Sequence, residues 1–528
     1  YGDNAVGGVI NIITKVPEEG FSGRTSLTAG SFGRHKEQMS VSGGRDGFSM
    51  SGNFSYDSTD GYRDNNHFRA KDASGRLSYD PTDLLKLHVH FGYHSDVYGM
   101  PGALNENDYV TNRRSASNPD DNARSDDSFI SAGFESFAGD YGKLMGELSY
   151  RRMSTKSDFP DPFFPFLTEN DIETLGFTPR FIFDRPIFDR ANTFIIGSDM
   201  YRSDLTLNSY LGVFSPIPTP SGRDTVERKS IGFYATNETE IFERVFFSVG
   251  ARTEKVKDEL EQIGLPANIV SLKETVKSRE NAVSTGLSYL YAEDSALFFK
   301  ANRSFRYPLT DELTELDLTT FTTVINSDMK PQTGRHYDIG VRHSFHRRFQ
   351  GRLTLFRSEI KNEIFFDPIA FSNENHPETL RRGLETGLRF LVLDNIALNA
   401  NYTYQKATFE EAPYRGKFVP AVPRHKTSFG VRISDLPLPG LSLSTDYTVV
   451  GSSYLISDQA NQLGKLGRYS LLDAKISYRK NFVEVFVGVD NLLDKKYAQY
   501  AVAGGGGTTR NFYPAPERTW TAGVEMRF

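Results

Sequence analysis

Apolar and polar residues alternate with a period of two from one end of this chain to the other. Leu85, Leu87, Val89, Phe91 and Tyr93 fall on one side, with Lys86, His88, His90 and Gly92 on the other. The pattern returns in Ile396, Leu398, Ala400, Tyr402 and Tyr404, in Leu441, Leu443, Tyr447 and Val449, and in Val483, Val485, Val487 and Val489. The last segment sets Trp520, Ala522, Val524, Met526 and Phe528 against Thr521, Gly523, Glu525 and Arg527. Successive side chains of a β-strand point to opposite faces, so each segment predicts a strand with one apolar and one polar side. No long amphipathic helix interrupts them, and the chain reads as all-β.

The connections alternate in length. Ten short links rich in Gly, Asp, Asn and Pro lie near Arg45–Gly47, Asp80–Asp83, Gly139–Gly142, Asp184–Arg190, Phe242–Arg244, Glu293–Ser295, His346–Gln350, Asp394–Asn395, Asp435–Gly440 and Arg479–Asn481. Eleven longer polar segments separate them, near 30–37, 57–72, 95–127, 153–178, 203–227, 255–279, 303–333, 360–381, 405–424, 450–468 and 499–517. Eleven hairpins give 22 antiparallel strands, with short turns at one end and long loops at the other. That describes a transmembrane β-barrel with short periplasmic turns and long extracellular loops. A soluble propeller would show a repeated blade signature and even loops. This chain has neither.

Composition sharpens the picture. The chain has 528 residues, 38% of them hydrophobic, and a formal net charge of −6, a balance that gives no sign of nucleic-acid binding. It has no cysteine, which excludes disulfides, thiolate metal sites and cysteine nucleophiles. Aromatic residues are 13% of the total, with 41 Phe, 26 Tyr and one Trp. No run approaches the ~18 apolar residues of a membrane helix, a test to which a barrel with a wet lumen is blind. The sequence starts at Tyr1 without an export signal, as expected of a fragment or a mature segment.

Both ends carry motifs. The opening Tyr1-Gly2-Asp3-Asn4-Ala5-Val6-Gly7-Gly8-Val9-Ile10-Asn11-Ile12-Ile13-Thr14-Lys15 resembles the end of the plug domain of TonB-dependent outer-membrane receptors, which import metal chelates. The closing segments Asn491-Leu492-Leu493-Asp494-Lys495-Lys496-Tyr497 and Tyr513-Pro514-Ala515-Pro516-Glu517-Arg518-Thr519-Trp520 resemble the same family, as do Ser304-Phe305-Arg306-Tyr307-Pro308 and Arg381-Arg382-Gly383-Leu384-Glu385. The resemblance implies a plug remnant at 1–18 and a barrel at 19–528, in the outer membrane of a Gram-negative bacterium. It implies a ferric siderophore or similar chelate as ligand, and the TonB–ExbB–ExbD complex as a partner engaged through a preceding N-terminal part. It also makes Phe528 part of the signal read by the barrel-assembly machinery. Lipid and lipopolysaccharide are the surroundings. No cofactor is expected. A barrel with so little plug also raises a passive diffusion pore as the competing function, and cobalamin, haem or another chelate as competing cargo. No spacing picks out a nucleophile, base and orienter, so an enzyme is not expected.

Ferric chelates are often anionic and aromatic, so basic and aromatic side chains in the outer loops are the expected contacts. Tyr98, Tyr109, Arg113, Arg114 and Arg124 lie in the 95–127 segment, and Phe163 and Phe164 in the 153–178 segment. Tyr98-Gly99-Met100-Pro101-Gly102 resembles a segment of ferric-citrate-like receptors. Loop packing and lipopolysaccharide contact are the bland alternatives. His88, His90 and His94 share the lumen face of one strand, where neighbours two apart are ~7 Å apart and could share a metal or simply line the lumen. The interval from Phe305 to Met329 has no His, which disfavours haem, because haem receptors of this family typically place one there. The run Gly504-Gly505-Gly506-Gly507 lacks the Lys and Ser/Thr of a phosphate loop and reads as a flexible outer loop.

Overall fold

The computed structural model describes residue 17 and residues 19–212, 218–265, 269–317, 322–367, 372–435, 437–504 and 506–528. The plug-like motif Tyr1–Lys15 lies outside the described residues. One antiparallel sheet of 23 strand segments forms the wall. Two of them, Phe166–Phe177 and Arg180–Asp184, share the neighbours Lys143–Phe159 and Asn192–Leu211. They are one strand broken at Thr178–Pro179, where proline has no N–H for the ladder. The wall therefore has 22 staves. It closes where Gly20–Gly30 pairs with Thr519–Arg527, in register from Arg24 opposite Arg527 to Gly30 opposite Thr521. Phe528 adds a last rung, its N–H donating to the Gly23 carbonyl at 2.9 Å and its carbonyl accepting from the Gly23 N–H at 2.6 Å.

Directly opposed residues share a face, so the outer surface can be followed from strand to strand. Leu27 lies opposite Val524, Met39 opposite Phe54, Leu77 opposite Val89 and Phe91 opposite Ile130. Tyr150 then joins Ile130, and Leu148 joins Phe177. Most of these side chains are exposed, as are Val485, Val487 and Trp520. So large an apolar belt suits lipid, not water. The interior face is polar and charged, for example Glu525 between Arg24 and Arg527.

The ten short links predicted from sequence are the ten turns between strands at one end of the wall. Asp46-Gly47 shows why these residue types reverse the chain so tightly. Both have positive φ (53° and 79°), the geometry of a two-residue hairpin turn. Three long loops need correction. The segments 153–178, 203–227 and 255–279 are mostly strand, because Asn192–Leu211, Thr219–Phe242, Val245–Gly264 and Ile269–Ala292 run 20 to 24 residues. Above the lipid both faces are polar, so the apolar–polar alternation that marks a strand fades while the hydrogen-bonded ladder continues. The opposite wall stays low: Gly20–Gly30 has 11 residues and Val483–Asp490 has 8.

Candidate ligand-binding mouth

The extracellular end is built from loops braced against one another. Arg63, only 5% exposed, donates to the carbonyls of Pro101, Gly102 and Ser115 at 2.6–3.2 Å. Asn65 adds bonds to the carbonyls of Asn118 and Asp121. Together they fix the 100–121 loop, which holds the short helix Glu106–Thr111 with Asn105 as its N-cap (Asp108 N–H to Asn105 Oδ1, 3.0 Å). Beside it, Leu104–Asn105 joins Ala498–Gly504 and Thr509–Pro514 in a small three-stranded sheet. Leu455, Ala498, Ala501 and Phe512 form an apolar cluster there, with Tyr109 and Leu466 packed on it.

The sequence-predicted contacts divide between structural and accessible roles. Tyr109 stacks on Phe512 with ring centroids 4.5 Å apart, and the Arg113 guanidinium covers its other side at 4.4 Å. Arg113 is buried and donates to the Tyr497 carbonyl at 2.7 Å, tying this loop to the last one. Arg114 donates to the Tyr62 carbonyl at 2.8 Å and lies 5.4 Å from the Phe32 ring. These three are braces. Arg124 is on the outer face, opposite Val97, and bonds Asp126 at 2.8 Å. Tyr98 sits half-buried on the strand Leu85–Gly99, on the same side as His94. Phe163 is exposed at a loop tip, where the Asp161 carboxylate accepts from the backbone N–H groups of Phe163 and Phe164 at 2.8 Å each. Those bonds hold the Asp161 carboxyl below its usual range.

The three histidines do not converge. His88 and His90 lie side by side with ring centroids 5.1 Å apart. His94 is engaged elsewhere, with Nδ1 2.7 Å from Asp72 and Nε2 3.3 Å from Asp96. Among the described residues no group of three or more His, Cys, Asp or Glu side chains is placed to hold a metal ion. The tetraglycine is a hairpin tip: the N–H groups of Gly507 and Thr508 both point at the Gly504 carbonyl, 3.0 Å away, and Gly505 lies outside the described residues.

Several prominent groups had no sequence signal. Tyr500 and Tyr513 face each other across the small sheet with centroids 4.5 Å apart, and burial raises the Tyr513 pKa, keeping its hydroxyl a donor. Deeper in the lumen, Arg252 is buried between Asp199 and Glu254, in the wall of a cavity of about 370 Å³ that Arg180 and Tyr234 also line. Higher on the same wall, Arg228 grips Asp258 with two bonds of 2.7 and 2.8 Å and donates to the Pro308 carbonyl at 2.6 Å. It thereby anchors the segment whose Phe305 and Tyr307 pack against Val256 and Ala282. Acidic and basic residues in alternation gave no hint of burial, because each is buried only as half of a pair.

Residues 19–492 match the family described as TonB dependent receptor-like, beta-barrel. A TonB-dependent receptor of Haemophilus influenzae is 23% identical over 258 residues, 47% of this chain and 71% of that protein. The pesticin receptor of Yersinia enterocolitica is 25% identical over 186 residues, 34% of this chain and 27% of the receptor, so this match spans about a quarter of the receptor's length. Among solved structures, the ferric citrate transporter FecA superposes with a TM-score of 0.86 at 19% identity, covering 100% of this chain and 82% of FecA. The ferric yersiniabactin uptake receptor FyuA of Yersinia pestis gives 0.85 at 17%, covering 100% and 83%. The siderophore receptor PiuA of Acinetobacter baumannii gives 0.82 at 16%, covering 100% and 84%. At these identities the structural likeness speaks for the fold, and the family match extends over most of the chain. The chain belongs to the TonB-dependent receptor β-barrel family of the Gram-negative outer membrane.

Proposed function

We propose that this barrel, within a complete receptor, takes up a metal chelate, specifically a ferric siderophore, and passes it to the periplasm with energy supplied through TonB–ExbB–ExbD. The observation that carries the reading is the wide closed barrel whose extracellular end is a braced loop assembly rather than an open rim. Solved relatives with this architecture are named for ferric citrate, ferric yersiniabactin and other siderophores. Tyr98, Phe163 and Phe164 would meet the ligand first. Tyr109, Arg113 and Arg114 would hold the loops that shape its approach, with Arg124 and its Asp126 partner on the outer flank. The remnant 1–18 would be the end of the plug, and Phe528 would act in assembly.

The test is growth of an iron-starved strain that has no other chelate receptor and carries the full-length gene, on a panel of ferric siderophores, in the presence and absence of TonB. The reading expects TonB-dependent rescue by at least one ferric siderophore. Rescue that persists without TonB, or uptake of cobalamin or haem alone, would overturn it.

A further inference from the structure

Ser304, His336 and Ser358 come from three neighbouring strands, Ser295–Arg306, Gln332–His346 and Phe349–Lys361. Phe299, Ile339 and Leu355 lie in line across these strands and are exposed on the outer face. Alternation therefore turns Ser304, His336 and Ser358 to the lumen, where each is half-buried. His336 Nε2 lies 2.8 Å from the Ser304 hydroxyl, and its Nδ1 lies 3.0 Å from the Ser358 hydroxyl. One imidazole thus holds two serines. The other histidines bonded to a hydroxyl among the described residues, His343 and His425, meet tyrosines on the outer face. No sequence spacing reveals the group, because its members are 32 and 22 residues apart and only strand register joins them.

A nucleophilic serine needs a base about 2.6–3.2 Å away and a third group that orients the base. With its proton on Nδ1, His336 donates to Ser358 and accepts from Ser304 at Nε2. Ser304 is then the hydroxyl beside a base, and Ser358 the group that fixes that base. Strand register favours these roles over the reverse. Ser304 lies directly opposite Gly334, whose missing side chain leaves the space in which the pair meets. A Cβ added there would stand 2.5 Å from His336 Nε2 and 3.0 Å from Ser304 Oγ. Ser358 lies directly opposite Arg381, a long side chain fixed by Glu363 and Thr379. An electrophile therefore has more room at Ser304 than at Ser358. Asn302, the preceding lumen-facing residue of the same strand and directly opposite His336, adds an amide donor for charge developing on an attacked carbonyl.

We propose that Ser304 is a nucleophile, activated by His336 with Ser358 as its orienting partner, and that activated esters entering the lumen acylate it. Its Oγ attacks the carbonyl carbon, and the C–O bond to the leaving alkoxide or phenoxide breaks. The hydroxyl proton passes to His336 Nε2 and from there to the departing oxygen. The product is an acyl group tethered to the wall, a modification of the protein and not a turnover. The step needs no reactant besides the ester, and it rests on the fold rather than on which chelate is carried.

The experiment treats the detergent-solubilised full chain with a fluorophosphonate, which reports the same nucleophile. The Oγ–P bond forms, the P–F bond breaks and fluoride leaves, with the proton passed through His336 to solvent. Peptide mass spectrometry locates the adduct, and heat-dependent gel mobility verifies that each variant is folded. The adduct should lie on Ser304 and be absent from S304A. H336Q should form it at least about 100-fold more slowly, the lower end of what a general base contributes. G334A puts a methyl group into the space that the pair shares, and should slow it by at least about tenfold through misplacement. Should H336Q fail to fold, G334A carries the comparison. Treatment with p-nitrophenyl acetate should acetylate Ser304 in the same way and release p-nitrophenol. No adduct, an adduct on Ser358 or spread over the lumen serines, or an unchanged rate in the folded variants would overturn the proposal. So would phosphonylation of Ser304 without its acetylation.

Discussion

Arginine at position 487 tests the facing of the wall. Val487 is 45% exposed on the outer surface, opposite Ile476 on one side and Ala522 on the other. It lies four residues above Val483, the first residue after a periplasmic turn. Four steps of about 3.4 Å, on a strand tilted by about 40°, raise it about 10 Å, close to the middle of an apolar band about 25 Å tall. A lipid-facing arginine at that depth costs about 2–4 kcal/mol, which lowers the folding equilibrium constant by roughly 30- to 900-fold. Its neighbour Gly488 faces the lumen, where an added Cβ would meet the Thr521 hydroxyl at 2.8 Å, the end of a small side chain, and the Ala474 carbonyl at 3.9 Å. V487R should therefore shift the urea midpoint for unfolding from lipid vesicles strongly, and G488R by less than about 1 kcal/mol. Equal shifts would refute the facing assignment. A larger shift for G488R would invert it.

Three further outcomes follow from the loops and the seam. R63A leaves the carbonyls of Pro101, Gly102 and Ser115 without their charged donor, a loss of about 2–4 kcal/mol; amide exchange at 101–117 should accelerate at least about 30-fold while the strand ladders keep their protection. F528A removes an aromatic contact to Phe21, with centroids 6.0 Å apart, of a kind worth ~0.5–1.5 kcal/mol. If Phe528 also acts in assembly, the yield of folded barrel in cells should fall by more than the unfolding midpoint implies. His376 lies 4.3 Å from the Phe365 ring in the hairpin Glu363–Asp367/Ser372–His376, and burial lowers its pKa although Glu363 and Asp367 pull the other way. A depressed histidine pKa leaves the folded hairpin intact above the unfolded value of about 6.5 and weakens it as pH falls below that. Amide exchange in 363–376 should thus quicken between pH 7.5 and 5.5, and H376F should abolish that dependence.

What the sequence made legible was whatever the bilayer dictates. Lipid on one side and water on the other force period-two alternation, so Val483–Asp490 and Thr519–Arg527 could be read directly, and turns such as Asp46-Gly47 announce themselves by residue type. Above the bilayer that constraint ends. In Val245–Gly264 the buried positions include Arg252, Glu254 and Asp258, each held by an opposite charge close by, and hydropathy reads such a stretch as loop. The mouth was half legible for a related reason. Tyr109 and Arg113 stood out as aromatic and basic residues of a long outer loop, but their inward packing depends on Phe512 and Tyr497, far away in sequence. Arg63 gave no signal because its acceptors are backbone carbonyls, which every sequence has.

The unequal wall heights give the receptor a direction. A strand of 24 residues, such as Thr219–Phe242, spans about 60 Å along the membrane normal, against about 30 Å for the 11 residues of Gly20–Gly30. The ladder is therefore bevelled, like a cut reed: continuous sheet rises highest on one side, and the low side carries loop structure instead, the strands Ala498–Gly504 and Thr509–Pro514 included. Small solutes can approach from any side. A bulky visitor, whether an antibody, a phage fibre or a protein toxin, meets continuous sheet on the tall flank and loop surface on the low one. Sequence change should accordingly be tolerated more readily in the loops of the low flank than in the ladder of that parapet.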